Sequence, residues 1–218
     1  MMGSGVVVQF RIVPSPLRYP IPAARHRVEE VILRSRFITT VAYTPTVKVA
    51  RAFIDSIRVE YSDATHNCWA SLVGPPGSTA QIGFSDDGEP HGTAGRPMLA
   101  VLEHSGLGDI TAVVTRYFGG ALLGKGGLVR AYSGGMKLVL ASLPRAEHVP
   151  TTDLLVVITY PSVTPLQRLL LSYEAEVVHE SYAANVTYRL RLPVEQAGPF
   201  AEALTGLTNG QAIVEVAS

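Results

Sequence analysis

Residues Ile110–Tyr132 read ITAVVTRYFGGALLGKGGLVRAY. The run from Ile110 to Tyr117 is apolar and β-branched, and predicts a central strand. Leu128 to Leu143 predicts a helix, despite Gly134-Gly135 near its middle. Between them lies a glycine-rich turn, Gly119-Gly120-Ala121-Leu122-Leu123-Gly124-Lys125-Gly126-Gly127. It is one residue from the nucleotide loop G-x-x-x-x-G-K-[ST], because Gly126 stands where a magnesium-binding hydroxyl is needed. The loop centre is apolar, and no acidic metal ligand closes another apolar strand. The stretch therefore predicts strand, turn and helix, but not a working ATPase of that class. Two readings stay open. Free amides before a helix attract anions, and Arg116, Lys125 and Arg130 lie close by, with Tyr117, Phe118 and Tyr132 able to stack on bases. Alternatively the glycines only serve turns, the aromatics pack and the cations are solvated.

Working outward, Arg27 to Leu33, Phe37 to Tyr43, Asn67 to Val73 and Gln81 to Phe84 read as strands. Val47 to Val59 reads as an amphipathic helix, and Pro97 to Glu103 as a second. These elements predict a three-to-five-stranded sheet with helices on one side. Residues 1–25 carry Pro14, Pro16, Pro20 and Pro22 and read as an irregular arm. Residues 26–144 form the first domain. Leu143 to Asp153 has two prolines and little periodicity, and reads as the boundary. Residues 153–218 follow as strand (Leu154–Tyr160), helix (Thr164–Tyr173), strands (Glu176–Tyr182 and Val186–Leu192), helix (Glu195–Leu204) and strand (Gln211–Val216). The order βαββαβ is the ferredoxin-like arrangement, so the fold class is α+β with two domains. It leaves one sheet face free, with Thr187, Arg189 and Arg191 on one side of their strand.

The 218 residues, 47% hydrophobic and 17% charged, suit a globular protein. No apolar run reaches the ~20 residues of a membrane span, and the N-terminus lacks the pattern of a signal peptide. The single cysteine, Cys68, excludes an internal disulfide and fits a reducing compartment. The cytoplasm is the expected location, with no membrane partner. The formal net charge is zero but uneven: residues 1–144 hold 14 basic and 10 acidic side chains, so +4, and residues 145–218 hold 4 and 8, so −4. A mildly basic first half can face a polyanion.

Ser85–Pro97 packs Asp86, Asp87, Glu89 and His91 among glycines. The carboxylates could hold a hard cation, or cap a turn and the following helix, or pair with Arg96. The EF-hand spacing is absent. His66, Cys68 and His91 lack an evident fourth zinc ligand, and Cys68 beside Trp69 in a strand reads as a buried thiol. Trp69 reads as core, with a half-exposed platform as the alternative. No metal, cofactor or catalytic set is expected.

SDDGEPHGTAGRPMLAVL (Ser85–Leu102) followed by VVTRYFGGALLGKGGLVRAY (Val113–Tyr132) resembles the signature of the YigZ/IMPACT family. Arg34-Ser35-Arg36-Phe37-Ile38 and His66-Asn67-Cys68-Trp69-Ala70 resemble its other two marks. The βαββαβ tail is similar to the extra domain of bacterial YigZ-like members. The resemblance implies a ribosomal protein S5 domain-2-like first domain and a layout similar to the last two domains of elongation factor G. Eukaryotic IMPACT proteins, which carry a different additional domain, regulate translation under amino-acid starvation through a protein partner.

The expected function is a non-enzymatic RNA- or ribosome-associated protein that tunes translation. Arg34, Arg36, Arg96, Arg116, Lys125 and Arg130 would contact phosphate, and Tyr117 or Phe118 would stack. The motif cluster His66, Trp69, Asp86, Asp87, Glu89, His91, Gly119, Gly120, Gly124, Gly126 and Gly127 has no assigned role. The alternatives are a magnesium-dependent enzyme on a phosphorylated small molecule or nucleotide, and a protein-interaction module.

Overall fold

A computed structural model describes residues 18–217; the expected irregular arm lies outside them up to residue 17. The described residues form two compact units, Tyr19–His148 and, with Arg18, Val149 onward. In chain order the first unit contains β1 (Tyr19–Pro22), β2 (His26–Ile32), β3 (Ser35–Tyr43), α1 (Val47–Glu60), β4 (His66–Leu72), β5 (Ile82–Ser85), α2 (Gly95–Glu103), β6 (Ile110–Tyr117), α3 (Gly124–Ser142) and β7 (Arg145–His148).

β6 is the centre of a five-stranded sheet ordered β2-β3-β6-β4-β5. It runs antiparallel to both of its neighbours. A nucleotide loop of the ATPase class follows a strand of a parallel α/β sheet, so this topology separates the glycine turn from that class. Consecutive residues Ile110 to Arg116 are all buried, which requires cover on both faces of the strand. On one face Ala112 and Val114 join Phe37, Cys68 and Ala70 against α2 and α3. On the other, Val113 packs on Ile54 and Ile57 of α1. The expectation of helices on one side is thus corrected: α1 takes the opposite face. Thr46 caps α1 by accepting from the Val49 amide at 3.2 Å.

α3 starts at Gly124, four residues earlier than its sequence suggests, so Gly126 and Gly127 belong to its first turn. Gly135 allows its close approach to the sheet, since a Cβ there would stand 2.6 Å from Thr39 Oγ1. β1 and β7 form a separate antiparallel pair. This corrects two expectations: part of the arm, and part of the proline-flanked boundary, are strand. A two-stranded ribbon tolerates Pro20 and Pro22 because its outer amides need no partner, and Tyr19 stacks on His148 at 4.6 Å between ring centroids.

The second unit contains β8 (Thr151–Ile158), α4 (Val163–Ser172), β9 (Glu176–Tyr182), β10 (Val186–Pro193), α5 (Val194–Leu207) and β11 (Ile213–Val216). The sheet order is β11-β8-β10-β9, the ferredoxin-like arrangement read from the sequence. Leu154, Val156 and Ile158 with Val186, Tyr188 and Leu190 form one apolar face, covered by Leu166, Leu170, Phe200 and Leu204 of the two helices. On the opposite face Arg189 and Arg191 both bond Asp153, at 2.9 and 2.8 Å. Their charge is largely met within the sheet.

Candidate functional site

The motif residues meet around the end of β6. Arg116 points inward, and its Nη1 donates to Glu89 Oε1 at 2.6 Å. Its Nη2 donates to Ser35 Oγ at 3.3 Å. The guanidinium lies over Phe37 at 5.4 Å and Phe118 at 5.6 Å from the ring centroids, a cation–π arrangement on two rings. Tyr132 completes the group by donating its hydroxyl to the same Glu89 oxygen at 2.7 Å. Burial and its acidic neighbours hold the Tyr132 phenol far above its ordinary range, so it remains an O–H donor. Cys68 Sγ lies 2.9 Å from the Asp86 carbonyl oxygen and 3.4 Å from the Tyr132 hydroxyl. Burial pushes the thiol up to about 12, which leaves no thiolate for nucleophilic work.

One expectation falls here, and one open reading closes. Arg116 is not a surface phosphate contact: its position alternates with Val114 and Ala112 on the core face of β6, and Glu89 neutralises it there. Tyr132 is not a stacking platform; it is fully buried, edge-on to Phe37 at 5.5 Å.

The other carboxylates are held locally too. Asp86 accepts from the amides of Gly92 (2.8 Å), Gly95 (2.8 Å) and Ala94 (3.1 Å), fixing the entry to α2. Burial pushes its carboxyl up, but the Gly92, Gly95 and Ala94 amides, with nearby His91, outweigh that and hold it below the usual range. Asp87 accepts from the Asn67 amide at 2.7 Å and from Arg58 at 3.0 Å. His66 Nδ1 donates to the Asp87 carbonyl at 2.7 Å. The three carboxylates thus serve different protein donors, as turn and helix caps and as ion pairs, with Arg58 and Arg116 rather than Arg96 as the partners. Among the described residues no group of three or more His, Cys, Asp and Glu side chains is placed to hold a metal ion. His91 is fully exposed, and Trp69 is half-buried against the α1 cluster.

The glycines divide by role. A Cβ on Gly119 would stand 2.0 Å from the Arg34 carbonyl carbon, so Gly119 seats the turn against the β2–β3 hairpin. Its amide donates to Ser35 Oγ at 3.2 Å. Gly120 and Gly124 have φ of +82° and +68°, the left-handed region. Gly126 and Gly127 open α3, whose first turn has no side-chain cap.

Around this seam lies an exposed rim. The hairpin turn presents Leu33 and Arg34, and the glycine turn presents Phe118, 47% exposed, and Leu122, 88% exposed. Lys125 and Arg130 are exposed on the first turns of α3. Arg34, Lys125 and Arg130 take no part in the ion pairs formed among the described residues. Arg36 is different: it pairs with Glu29 at 2.6 Å and lies over Tyr117 at 5.6 Å. Tyr117 donates to Asp63 at 2.7 Å. Arg96 is exposed but lines a groove between α2 and α3. Sequence reasoning missed Ser35, which joins the seam from β3; only its place in the Arg34–Ile38 motif hinted at it.

This constellation can be compared with known proteins. The Impact N-terminal domain model matches residues 33–140, and the model of a domain of unknown function, DUF1949, matches residues 156–211. IMPACT family member YigZ of Escherichia coli (strain K12) is 45% identical over 190 residues, which are 87% of this chain and 93% of that protein. The chain belongs to the IMPACT family. IMPACT family member YvyE of Bacillus subtilis (strain 168) is 35% identical over 193 residues, 88% of this chain and 87% of that one. A solved structure titled as that of a hypothetical protein aligns with TM-score 0.67 at 43% identity, over 92% of this chain and 98% of its own. The two family models fall on the two units of the α+β architecture, and the family resemblance drawn from the four motifs holds. Among the described residues no helix is long and apolar enough to cross a membrane.

Proposed function

We propose that this IMPACT family member is a non-enzymatic, RNA- or ribosome-associated protein that modulates translation in the cytoplasm. The observation that carries the reading is the rim: three cations without ion pairs among the described residues, Arg34, Lys125 and Arg130, beside exposed Phe118 and Leu122. Unpaired cations next to an aromatic ring suit a phosphate backbone with a splayed base. The open first turn of α3 adds amide donors of the same sign. Arg116 supports the rim from below, its guanidinium under Phe118. Arg36 contributes through Tyr117, and Arg96 belongs to another surface.

The carboxylates that a magnesium-dependent enzyme would use are bound to protein donors, so the enzyme reading gains no support from geometry. The test is anisotropy of labelled single-stranded and duplex RNA at several salt concentrations, together with ribosome pelleting and a cell-free translation readout. Exchanging Lys125 and Arg130 for Glu is expected to weaken RNA about tenfold or more and to flatten the salt slope by about 1.4, at ~0.7 per contact for single strands. Unchanged RNA affinity, or tight ATP binding in magnesium in its place, would overturn the reading.

A further inference from the structure

The second candidate surface is the groove between α2 and α3, of about 800 Å³. Its floor is aliphatic. Pro97, Ala100 and Val101 line it from α2, and Val129 and Leu140 from α3. On α2 the lining residues 97, 100 and 101 follow helical spacing, continued by His104 at its C-cap, and on α3 so do 129, 133, 137 and 140. The α3 side alone spans about 16 Å, at 1.5 Å per residue, or three turns. Small residues, Ala100, Ser133 and Ala141, keep the floor low enough for another backbone to come close.

The polar lining is one-signed. Arg96, Lys137 and Arg145 border the groove, and among the described residues no Asp or Glu does. None of the three takes part in the ion pairs formed among the described residues. A nucleic acid would use the cations, but it would also want flat rings for its bases. Among the described residues the lining has no Phe, Tyr or Trp. An aliphatic floor between two helices, flanked by cations, fits instead an apolar helical stripe with acids on its edges.

We propose that the α2–α3 groove docks an acidic amphipathic helix of a partner protein. The floor takes the apolar stripe, and Arg96, Lys137 and Arg145 take the flanking carboxylates. Like charge would repel a basic helix from the same groove, so the arrangement selects as well as binds. The surface is separate from the glycine-turn rim and does not rest on the RNA reading.

The test uses the full chain, labelled with nitrogen-15, and three probes. One is an 18-residue peptide helix with a leucine stripe flanked by glutamates. The second carries lysines in place of the glutamates, and the third is a single-stranded RNA. Amide shifts along α2 and α3 are expected with the acidic peptide and not with the lysine peptide. Lys137→Glu with Arg145→Glu is expected to weaken the acidic peptide about tenfold or more, the scale of interfacial charge reversal. Ala100→Trp, which fills the groove, should do the same, while RNA affinity stays at the parent value in both. The charge variant alters only exposed side chains, so it reads the groove even if the tryptophan disturbs the helix. Absence of α2 and α3 shifts, equal binding of the lysine peptide, or RNA displacing the peptide from those amides would overturn the proposal.

Discussion

Arg116 Nη1 sits 2.6 Å from Glu89 Oε1, and the two side chains are only 7% and 3% exposed. A charge pair so far from water is held by geometry, because each ion has given up hydration. Here Tyr132 and Ser35 supply further hydrogen bonds. The Arg116 Nε is buried with no hydrogen-bond partner among the described residues. The pair ties β6 to the loop before α2, and through Tyr132 it ties both to α3.

Removing one member should therefore cost more than removing both. Arg116→Met or Glu89→Gln alone is expected to destabilise the chain by about 3–5 kcal/mol, since each leaves a buried charge. The double variant keeps a Gln carbonyl for Tyr132 and should lose clearly less than the sum. Urea titrations of the four proteins measure this. Strict additivity would show that the two ions do not act as a unit.

The glycines of the turn should separate under alanine substitution. Gly119→Ala drives a Cβ into the Arg34 backbone and should cost about 3 kcal/mol or more. Gly120→Ala meets open space but keeps a positive φ, a cost of about 1–2 kcal/mol. Gly126→Ala lies in a helix with nothing closer than Arg130 at 3.9 Å, and is expected to stabilise by about 0.5–1 kcal/mol. Thermal melts rank the three, and a Gly119→Ala protein as stable as the parent would contradict the seam described above.

Asp86 gives the fold an acid limb. Burial raises its carboxyl, and the Gly92, Gly95 and Ala94 amides more than reverse that, so its folded value is depressed. A depressed carboxylate contributes stability that is present above its unfolded value of about 3.9 and is lost as pH falls through the folded value. Asp86→Asn should cost about 1–3 kcal/mol at pH 7, and the gap to the parent should narrow below about pH 4. Urea midpoints across pH read it. A gap that stays constant would mean the carboxylate charge has no part in holding the α2 entry.

The sequence by itself determined every local element whose pattern is periodic. β6 follows from its continuous apolar, β-branched run, and β10 and the αβ order of the second unit from apolar alternation and turn residues, because side-chain spacing dictates which faces can be buried. The four motifs determined the family. Tertiary structure decided what the motif side chains do. Arg116, Lys125 and Arg130 look alike in sequence, yet one points into the core and two into water. A strand position fixes a face, and only packing says which face is wet. The carboxylates read as caps or as partners of Arg96, with a cation cage as the alternative, until the fold supplied their donors. Tyr132 read as a stacking ring or as a packed one until α3 laid it against Phe37 and Glu89. The groove between α2 and α3 depends on two helices separated by a strand in the chain, so no local pattern could announce it.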